Sequence, residues 1–389
     1  MTTEVMVVAG EASGDLHGAQ LIRSLQRLRP DLTFSAMGGA EISRTGTRIL
    51  FESSKISVVG FFEVISHLKD IYTAQKTLRR RLAEKKPSLL ILIDFPDFNL
   101  LLARKAKTLG IPVFYYISPQ VWAWRSGRVT TIARLVDKIG VILPFEEQFY
   151  RNRGVNATYV GHPLLDSVKT TGSKEHYRRE QGIPTSHQLV GILPGSRVKE
   201  VARLLPVFLE AAALLQEKSE TKLLFLIPCA SSLQEKDLLD NGVMDYEQRL
   251  SLKIVSDEDR YNMMAACDLV IAASGTVTLE LLLLDTPMVV AYKLSPRTYL
   301  LGRLLVKVNY FSLVNLVADE PVVPELLQDE ANPERISNEL FKLLSDTKER
   351  AQMKEGFCRV RHKLGTEGAS LRAAQLALGL ITDTAENHG

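Results

Sequence analysis

The sequence predicts an α/β protein of two doubly wound, Rossmann-like domains facing a central cleft, and three observations carry the prediction. Short apolar runs alternate with longer helical patterns along most of the chain, the signature of parallel βαβ units. At 389 residues the chain exceeds what one hydrophobic core usually sustains, so two domains are expected. A stretch rich in small and polar residues, Gly161 to Ser173, breaks the pattern near the middle and is the expected hinge. The domains are therefore placed at 1–170 and 171–389, with the C-terminal helices capping the second domain or crossing back to the first.

In the first half, strands are expected at Glu4 to Ala9, Thr33 to Met37, Ser88 to Ile93, Val113 to Ile117, Lys138 to Leu143 and Ala157 to Val160, with helices in the gaps. The second half repeats the arrangement at Gln188 to Leu193, Lys222 to Ile227, Leu252 to Val255, Leu269 to Ala272 and Met288 to Ala291. From roughly Pro333 to Ala385 the pattern is helical with no strand interleaved.

Hydrophobic residues at 46% and charged residues at 24% are those of an ordinary folded domain, which excludes a disordered or fibrous class. The 48 Lys and Arg against 45 Asp and Glu leave a net charge of +3, too little to argue for a nucleic-acid partner. Cys229, Cys267 and Cys358 form no metal-ligand pair and no CxxC motif, so they read as reduced, buried thiols. The N-terminus lacks a basic leader and a cleavage site, which makes the cytoplasm the default compartment. No stretch reaches the roughly 20 apolar residues needed to cross a bilayer, and lying on a membrane surface stays open.

In open α/β sheets ligands bind beyond the carboxyl ends of the strands, so the segments that follow strands are the places to search. The first strand runs into Gly10-Glu11-Ala12-Ser13-Gly14-Asp15-Leu16-His17-Gly18, with a helix expected from Ala19. The spacing is not GxGxxG, and no GxxxxGK[ST] occurs, which weakens the dinucleotide and P-loop readings. Ser13, Gly14 and Asp15 can form a ligand loop, or Ser13 or Asp15 can simply cap the helix.

The strand ending at Ile93 delivers Asp94-Phe95-Pro96-Asp97-Phe98-Asn99. A carboxylate at a sheet edge can accept the proton of a sugar hydroxyl that attacks an anomeric carbon, and Asp97 is the candidate base; the plain alternative is an N-cap. The next strand ends in Ser118-Pro119-Gln120-Val121-Trp122-Ala123-Trp124-Arg125, where both tryptophans of the chain sit. If extended, this loop points both rings to one side, against a sugar or an acyl chain; anchoring the loop on the core is an equal alternative for one of them.

In the second half, Gly195, Ser196 and Arg197 lie between a strand and a long helix, a combination of turn, cap and positive fork suited to a diphosphate. Ser274, Gly275 and Thr276 open another helix, and Glu280 one turn on can accept ribose hydroxyls. Asp257-Glu258-Asp259 contains a DxD pattern, but acidic residues in a first helical turn account for it, and no metal is read here.

Together and in this order, Gly10 to Asp15, Asp94 to Asn99, Ser118 to Arg125, Leu193 to Arg197, Ser274 to Thr276 and Ser312-Leu313-Val314-Asn315-Leu316 resemble the lipid-A-disaccharide synthase family over nearly the full length. The resemblance implies a GT-B fold, an inverting transfer without metal or other cofactor, and peripheral attachment to the cytoplasmic face of the bacterial inner membrane. It implies that UDP-2,3-diacylglucosamine donates its sugar to the 6-hydroxyl of 2,3-diacylglucosamine 1-phosphate (lipid X), giving UDP and the β(1→6) disaccharide 1-phosphate. By the same resemblance Asp97 is the base, with Ser13, Gly14, Asp15, Asp94, Asn99, Trp122, Trp124 and Arg125 around the acceptor or sugar. Arg197 and the Ser274 to Thr276 helix start hold the UDP phosphates, and Glu280 or Asn315 helps place the nucleotide. The sequence departs from the family at Val314, where proline is usual. Acylated substrates require access to a bilayer, and the pattern Phe61, Phe62, Ile65, Leu68, Ile71 and Tyr72 beside Lys69, Lys76 and Arg79 to Arg81 offers an apolar helix face with basic flanks. An ordinary core-packing helix is the alternative. The alternatives for function are another UDP-sugar transferase or UDP-sugar epimerase of the same fold, or a non-catalytic UDP-sugar-binding protein. The sequence leaves the oligomeric state open, a homodimer included.

Overall fold

The computed structural model describes residues 3–56, 68–119, 121–124, 127–295, 299 and 309–386. It divides into two compact units, Met1–Pro163 with Thr366–Gly389, and Leu164–Gly365.

Among the described residues the first unit is built on seven strands: β1 (Glu4–Ala9), β2 (Thr33–Gly38), β3 (Arg48–Glu52), β4 (Leu89–Ile93), β5 (Val113–Tyr116), β6 (Lys138–Val141) and β7 (Ala157–Tyr159). All pair in parallel, in the order β3-β2-β1-β4-β5-β6-β7. Among its helices are α1 (Ala12–Leu28), α2 (Ala40–Ser43), α3 (Leu68–Lys85), α4 (Pro96–Thr108), α5 (Val121–Trp124), α6 (Arg128–Leu135) and α7 (Pro144–Arg151).

Among the described residues the second unit has six parallel strands: β8 (Gln188–Leu193), β9 (Leu223–Cys229), β10 (Leu252–Ser256), β11 (Leu269–Ala273), β12 (Met288–Tyr292) and β13 (Glu325–Leu327), in the order β10-β9-β8-β11-β12-β13. Among its helices are α8 (Lys174–Glu180), α9 (Val198–Lys218), α10 (Arg260–Ala266), α11 (Val277–Leu283), α12 (Leu313–Ala318), α13 (Pro333–Ser345) and α14 (Thr347–Lys363). The chain then returns to the first unit with α15 (Ala369–Glu386).

Strand periodicity explains why the central strands read as continuous apolar runs. Alternate residues of β1 and β4 point to opposite faces of the sheet, and both faces are covered. Met6, Val8, Leu90 and Leu92 join one core with Leu78 and Leu82 of α3 and Leu102 of α4. Val5, Val7, Leu89 and Ile91 join the other with Leu21, Ile22 and Leu25 of α1 and Ala373, Ala374 and Ala377 of α15. Small residues on α15 let it lie close against the sheet.

Two strands were not expected. β3 is a half-exposed edge strand with a register shift against β2, and β13 is only three residues long at the other sheet's edge. Edge strands bury one face at most and lose the apolar run by which strands are recognised. The thiols also differ from expectation: Cys267 is buried, Cys229 half-buried and Cys358 exposed.

Candidate functional site

In each sheet the strand order reverses once, between β1 and β4 in the first and between β8 and β11 in the second. Crevices at such reversals are where open α/β sheets bind ligands. Four of the motifs follow these four strands.

After β1 the expected glycine loop is not a loop. Helix α1 starts at Ala12, so the turn is only Gly10 and Glu11, and Ser13, Gly14 and Asp15 lie in the first helical turn. The glycines serve close approach instead: a Cβ on Gly10 would overlap the Phe95 ring, and one on Gly18 would come within 2.8 Å of the Ile42 side chain. Asp15 does not cap its own helix. Its buried carboxylate accepts from the amides of Gly39 (2.6 Å), Glu41 (2.9 Å) and Ile42 (3.2 Å), closing the start of α2. Ser13 is exposed.

After β4 the backbone turns through two successive left-handed residues, Asp94 (φ 44°) and Phe95 (φ 46°), neither of them glycine. Ile117, at the end of the adjoining β5, has φ 58°, and its carbonyl accepts from the Asp94 amide at 3.2 Å. Each such residue costs about 1–2 kcal/mol, so the conformation must be held by its surroundings. Asn99 and Tyr115 hold it. The fully buried Asn99 amide donates to the carbonyls of Ile93 (3.1 Å) and Asp94 (2.7 Å), and the Tyr115 hydroxyl donates to the Asp94 carbonyl at 2.5 Å. Asn99 thus shapes the turn from below.

The cap position belongs to Phe95 and the next to Pro96, so Asp97 is not the N-cap. Pro96 fits there because its missing N–H is one the helix start leaves without an internal partner anyway. Asp97, one residue further on, is 78% exposed in its side chain and accepts from the guanidinium of Arg128, the first residue of α6.

The tryptophan segment forms a single helical turn, α5, rather than an extended strand. Residues two apart in a helix do not face the same side. Trp122 anchors the loop: its indole N–H donates to Glu146 Oε1 at 3.0 Å, and its ring meets Phe145 edge to face at 5.0 Å between centroids. The side chains of Trp124 and Arg125 lie outside the described residues. Glu146 was missed in the sequence. It is buried, and it also accepts from Ser118 Oγ (3.4 Å) and from the amides of Leu143 (3.0 Å) and Ile142 (3.3 Å). Burial pushes its carboxyl up to about 7, against the downward pull of those hydrogen bonds. Pro144 followed by Glu146 is a legible helix-start signature. Arg128 carried no such signal, because its partner is distant in sequence.

In the second unit, Gly195 has φ +114°, and a Cβ there would meet the Glu200 carboxylate at 2.7 Å. Ser196 does not cap the helix as expected: Arg197 is the cap residue of the 21-residue α9, and no side chain caps it. Ser196 offers its carbonyl to Ser232 Oγ at 2.6 Å. Arg197 is exposed and pairs with Glu200 at 3.2 Å, which also accepts from the Tyr292 hydroxyl at 3.0 Å. The start of a long helix beside an exposed guanidinium is suited to an anion.

After β11, Ser274 Oγ donates to the Phe311 carbonyl at 2.8 Å, Gly275 faces open space on the side a Cβ would take, and Thr276 opens α11 without a side-chain cap. Glu280, buried on α11, accepts from Arg260 Nη2 (3.2 Å) and the Tyr261 hydroxyl (3.3 Å). Burial raises its carboxyl above the ordinary range, and Arg260 and Tyr261 oppose the rise. Asn315 is buried too: its Oδ1 accepts from the amides of Val322 (2.8 Å) and Val323 (2.9 Å), and its Nδ2 donates to the Val323 carbonyl at 2.9 Å. Valine at 314 does not disturb the local turn, where Ser312 caps α12 and Val314 packs inside.

Asp257, Glu258 and Asp259 form a short 3-10 turn before α10. Asp257 pairs with Arg260 at 3.7 Å and Asp259 accepts from Asn262 at 2.6 Å. Among the described residues no cluster of three His, Cys, Asp or Glu side chains is placed to hold a metal.

Of the apolar helix face, Phe61, Phe62 and Ile65 lie outside the described residues. Leu68 and Tyr72, at the start of α3, are 54% and 69% exposed, whereas Ile71 packs against the core. Among the described residues no helix is long and apolar enough to cross a membrane.

The family model described as lipid-A-disaccharide synthetase matches residues 5–379. A lipid-A-disaccharide synthase of Nitrosococcus oceani is 47% identical over 97% of this chain and 96% of its own length. One of Geobacter metallireducens is 46% identical over 97% of each. Two solved structures share the fold at low identity: the UDP-GlcNAc 2-epimerase of Neisseria meningitidis bound to UDP-GlcNAc (TM-score 0.65, 11% identity, 98% of this chain and 100% of that one) and MurG of Acinetobacter baumannii (TM-score 0.59, 17%, 97% and 99%). The fold is therefore of the GT-B type, and the chain belongs to the lipid-A-disaccharide synthase family of glycosyltransferases.

Proposed function

We propose that this protein transfers 2,3-diacylglucosamine from UDP-2,3-diacylglucosamine to the 6-hydroxyl of 2,3-diacylglucosamine 1-phosphate, with inversion, and that Asp97 is the base. The acceptor O6–H proton passes to the Asp97 carboxylate, the oxygen forms a bond to the anomeric carbon, and the bond from that carbon to UDP breaks with its electron pair leaving on the diphosphate. The observation that carries the reading is the exposed Asp97 on the first turn of α4, at the reversal point of its sheet. Arg197 and the starts of α9 and α11 bind the diphosphate in this scheme, Glu280 accepts from the ribose, and Asn315 acts indirectly by shaping the turn at 320–323. Leu68 and Tyr72 belong to the surface that meets the cytoplasmic face of the inner membrane, where both acylated substrates reside.

The test is UDP release from the two acylated sugars in detergent. Asp97→Asn should lower turnover by roughly 10²–10⁴-fold, the usual range for a general base, with UDP binding unchanged. No UDP release by the wild type would overturn the function; wild-type turnover in the variant would overturn only the base. Leu68→Ser with Tyr72→Ser should reduce co-sedimentation with anionic vesicles, and undiminished binding would remove them from the membrane surface.

A further inference from the structure

We infer that Arg128 is a positioning residue for the reaction: its guanidinium fixes the direction in which the Asp97 carboxylate faces the acceptor hydroxyl. The inference rests on the reading of Asp97 as base. Three observations carry it.

Asp97 is far more exposed than a carboxylate held by packing, at 78% of its side chain against 23% for Arg128. Packing alone therefore leaves its carboxyl torsion loose, whereas the Arg128 hydrogen bond restricts it. An arginine fork presents donors in a fixed plane, so it directs a carboxylate in a way that a flexible ammonium does less well.

Both partners stand on restrained ground. Asp97 is carried by the left-handed Asp94–Phe95 turn, which Asn99 and Tyr115 hold by three hydrogen bonds to backbone carbonyls. Arg128 begins α6, whose Val129 and Ile132 are buried in the core that also takes Phe98 and Leu102 of α4. Helices α4 and α6 thus share one apolar core, and the pair at their first turns is set by the packing beneath it.

The pair is also local to the reaction rather than to the fold. It spans 31 residues of sequence and lies at the surface, where an exposed ion pair contributes about 0–1 kcal/mol to stability. Its removal should leave the protein folded. What it alters is aim, and a misplacement of about 1 Å at a reacting group can cost on the order of 100-fold in rate.

The experiment measures kcat and KM for both acylated sugars, with UDP affinity and melting temperature, in Arg128→Met and Arg128→Lys. Expected is a kcat lowered roughly 10- to 100-fold in the methionine variant, both KM values within about threefold, UDP affinity and melting unchanged, and recovery of at least about fivefold in the lysine variant. A kcat within twofold of wild type in Arg128→Met overturns the inference. So does a raised acceptor KM with unchanged kcat, which would assign Arg128 to the anionic acceptor instead. A melting temperature lowered in parallel with kcat in both variants also overturns it, since the arginine would then be structural. Failure of the underlying reading is separate: it appears as wild-type turnover in Asp97→Asn, whatever Arg128 does.

Discussion

The two sheets reverse order at equivalent points, but they prepare those points in opposite ways. Beside β1 and β4 the backbone is strained, with Asp94, Phe95 and Ile117 all at positive φ, and buried side chains clamp it from below. Beside β8 and β11 the positive φ falls on a glycine, Gly195, and the helices start with no side-chain cap. Strain followed by clamping presents one side chain, Asp97, in a set place. A relaxed turn leading to an uncapped helix presents backbone amides and their dipole. The first arrangement suits a proton transfer, which depends on direction; the second suits a diphosphate, which needs many donors.

The contrast can be broken by exchanging the measured quantities. The largest effect belongs to Asp97→Asn, which should act on kcat and leave UDP affinity alone, as stated above. Arg197→Met should do the reverse, weakening UDP binding by roughly 10- to 100-fold, as expected for loss of a charge-assisted contact. Calorimetric titration with UDP measures it, and unchanged affinity in Arg197→Met would end the division of labour.

Glu146, which anchors the tryptophan segment beside the Asp94–Phe95 turn, carries a pH signature. Its carboxyl is raised to about 7 in the folded chain from an ordinary value of 4.5, mainly by burial. The folded state therefore holds a proton that the unfolded chain has already lost. Stability from this group is full below about pH 4.5 and declines as pH rises through 7, by about 3 kcal/mol at most. Denaturant unfolding of wild type and Glu146→Gln between pH 5 and 8 should show a difference that shrinks with rising pH in the wild type's disfavour. A flat difference would mean the burial cost is met by the four donors around it.

The smallest effect expected is on Asn315. Removing its amide in Asn315→Ala takes the side-chain acceptor from the buried Val323 amide, while the Val322 amide keeps the Glu320 carbonyl at 3.0 Å, at a cost of about 1–3 kcal/mol. Denaturant unfolding reads this. Stability unchanged by the substitution would return Asn315 to direct contact with the nucleotide.

Much of this was legible in the sequence because it is local. Central strands such as Leu89–Ile93 announce themselves by being apolar on both faces, and the helix that follows Gly195 to Arg197 by its periodicity. Asp97 was found by its place after such a strand. Its freedom from the cap role was not legible, since the choice among Phe95, Pro96 and Asp97 depends on how the turn packs against Gly10.

Long-range partnership is what only the tertiary structure decided. Asp15 and Asn315, which the sequence offers as site residues, also brace the backbone, and that role is not legible because the amides they serve belong to segments that sequence spacing does not link to them. The pairings of Arg128 and Glu146 are not legible in the sequence, because their partners lie 31 and 24 residues away. Pattern along a chain reports which face of an element is buried; it does not report which two loops meet when parallel strands bring their carboxyl ends side by side. The sequence by itself therefore determined the two α/β sheets and the places where ligands can bind, and the packing of those loops decided which side chains face outward there.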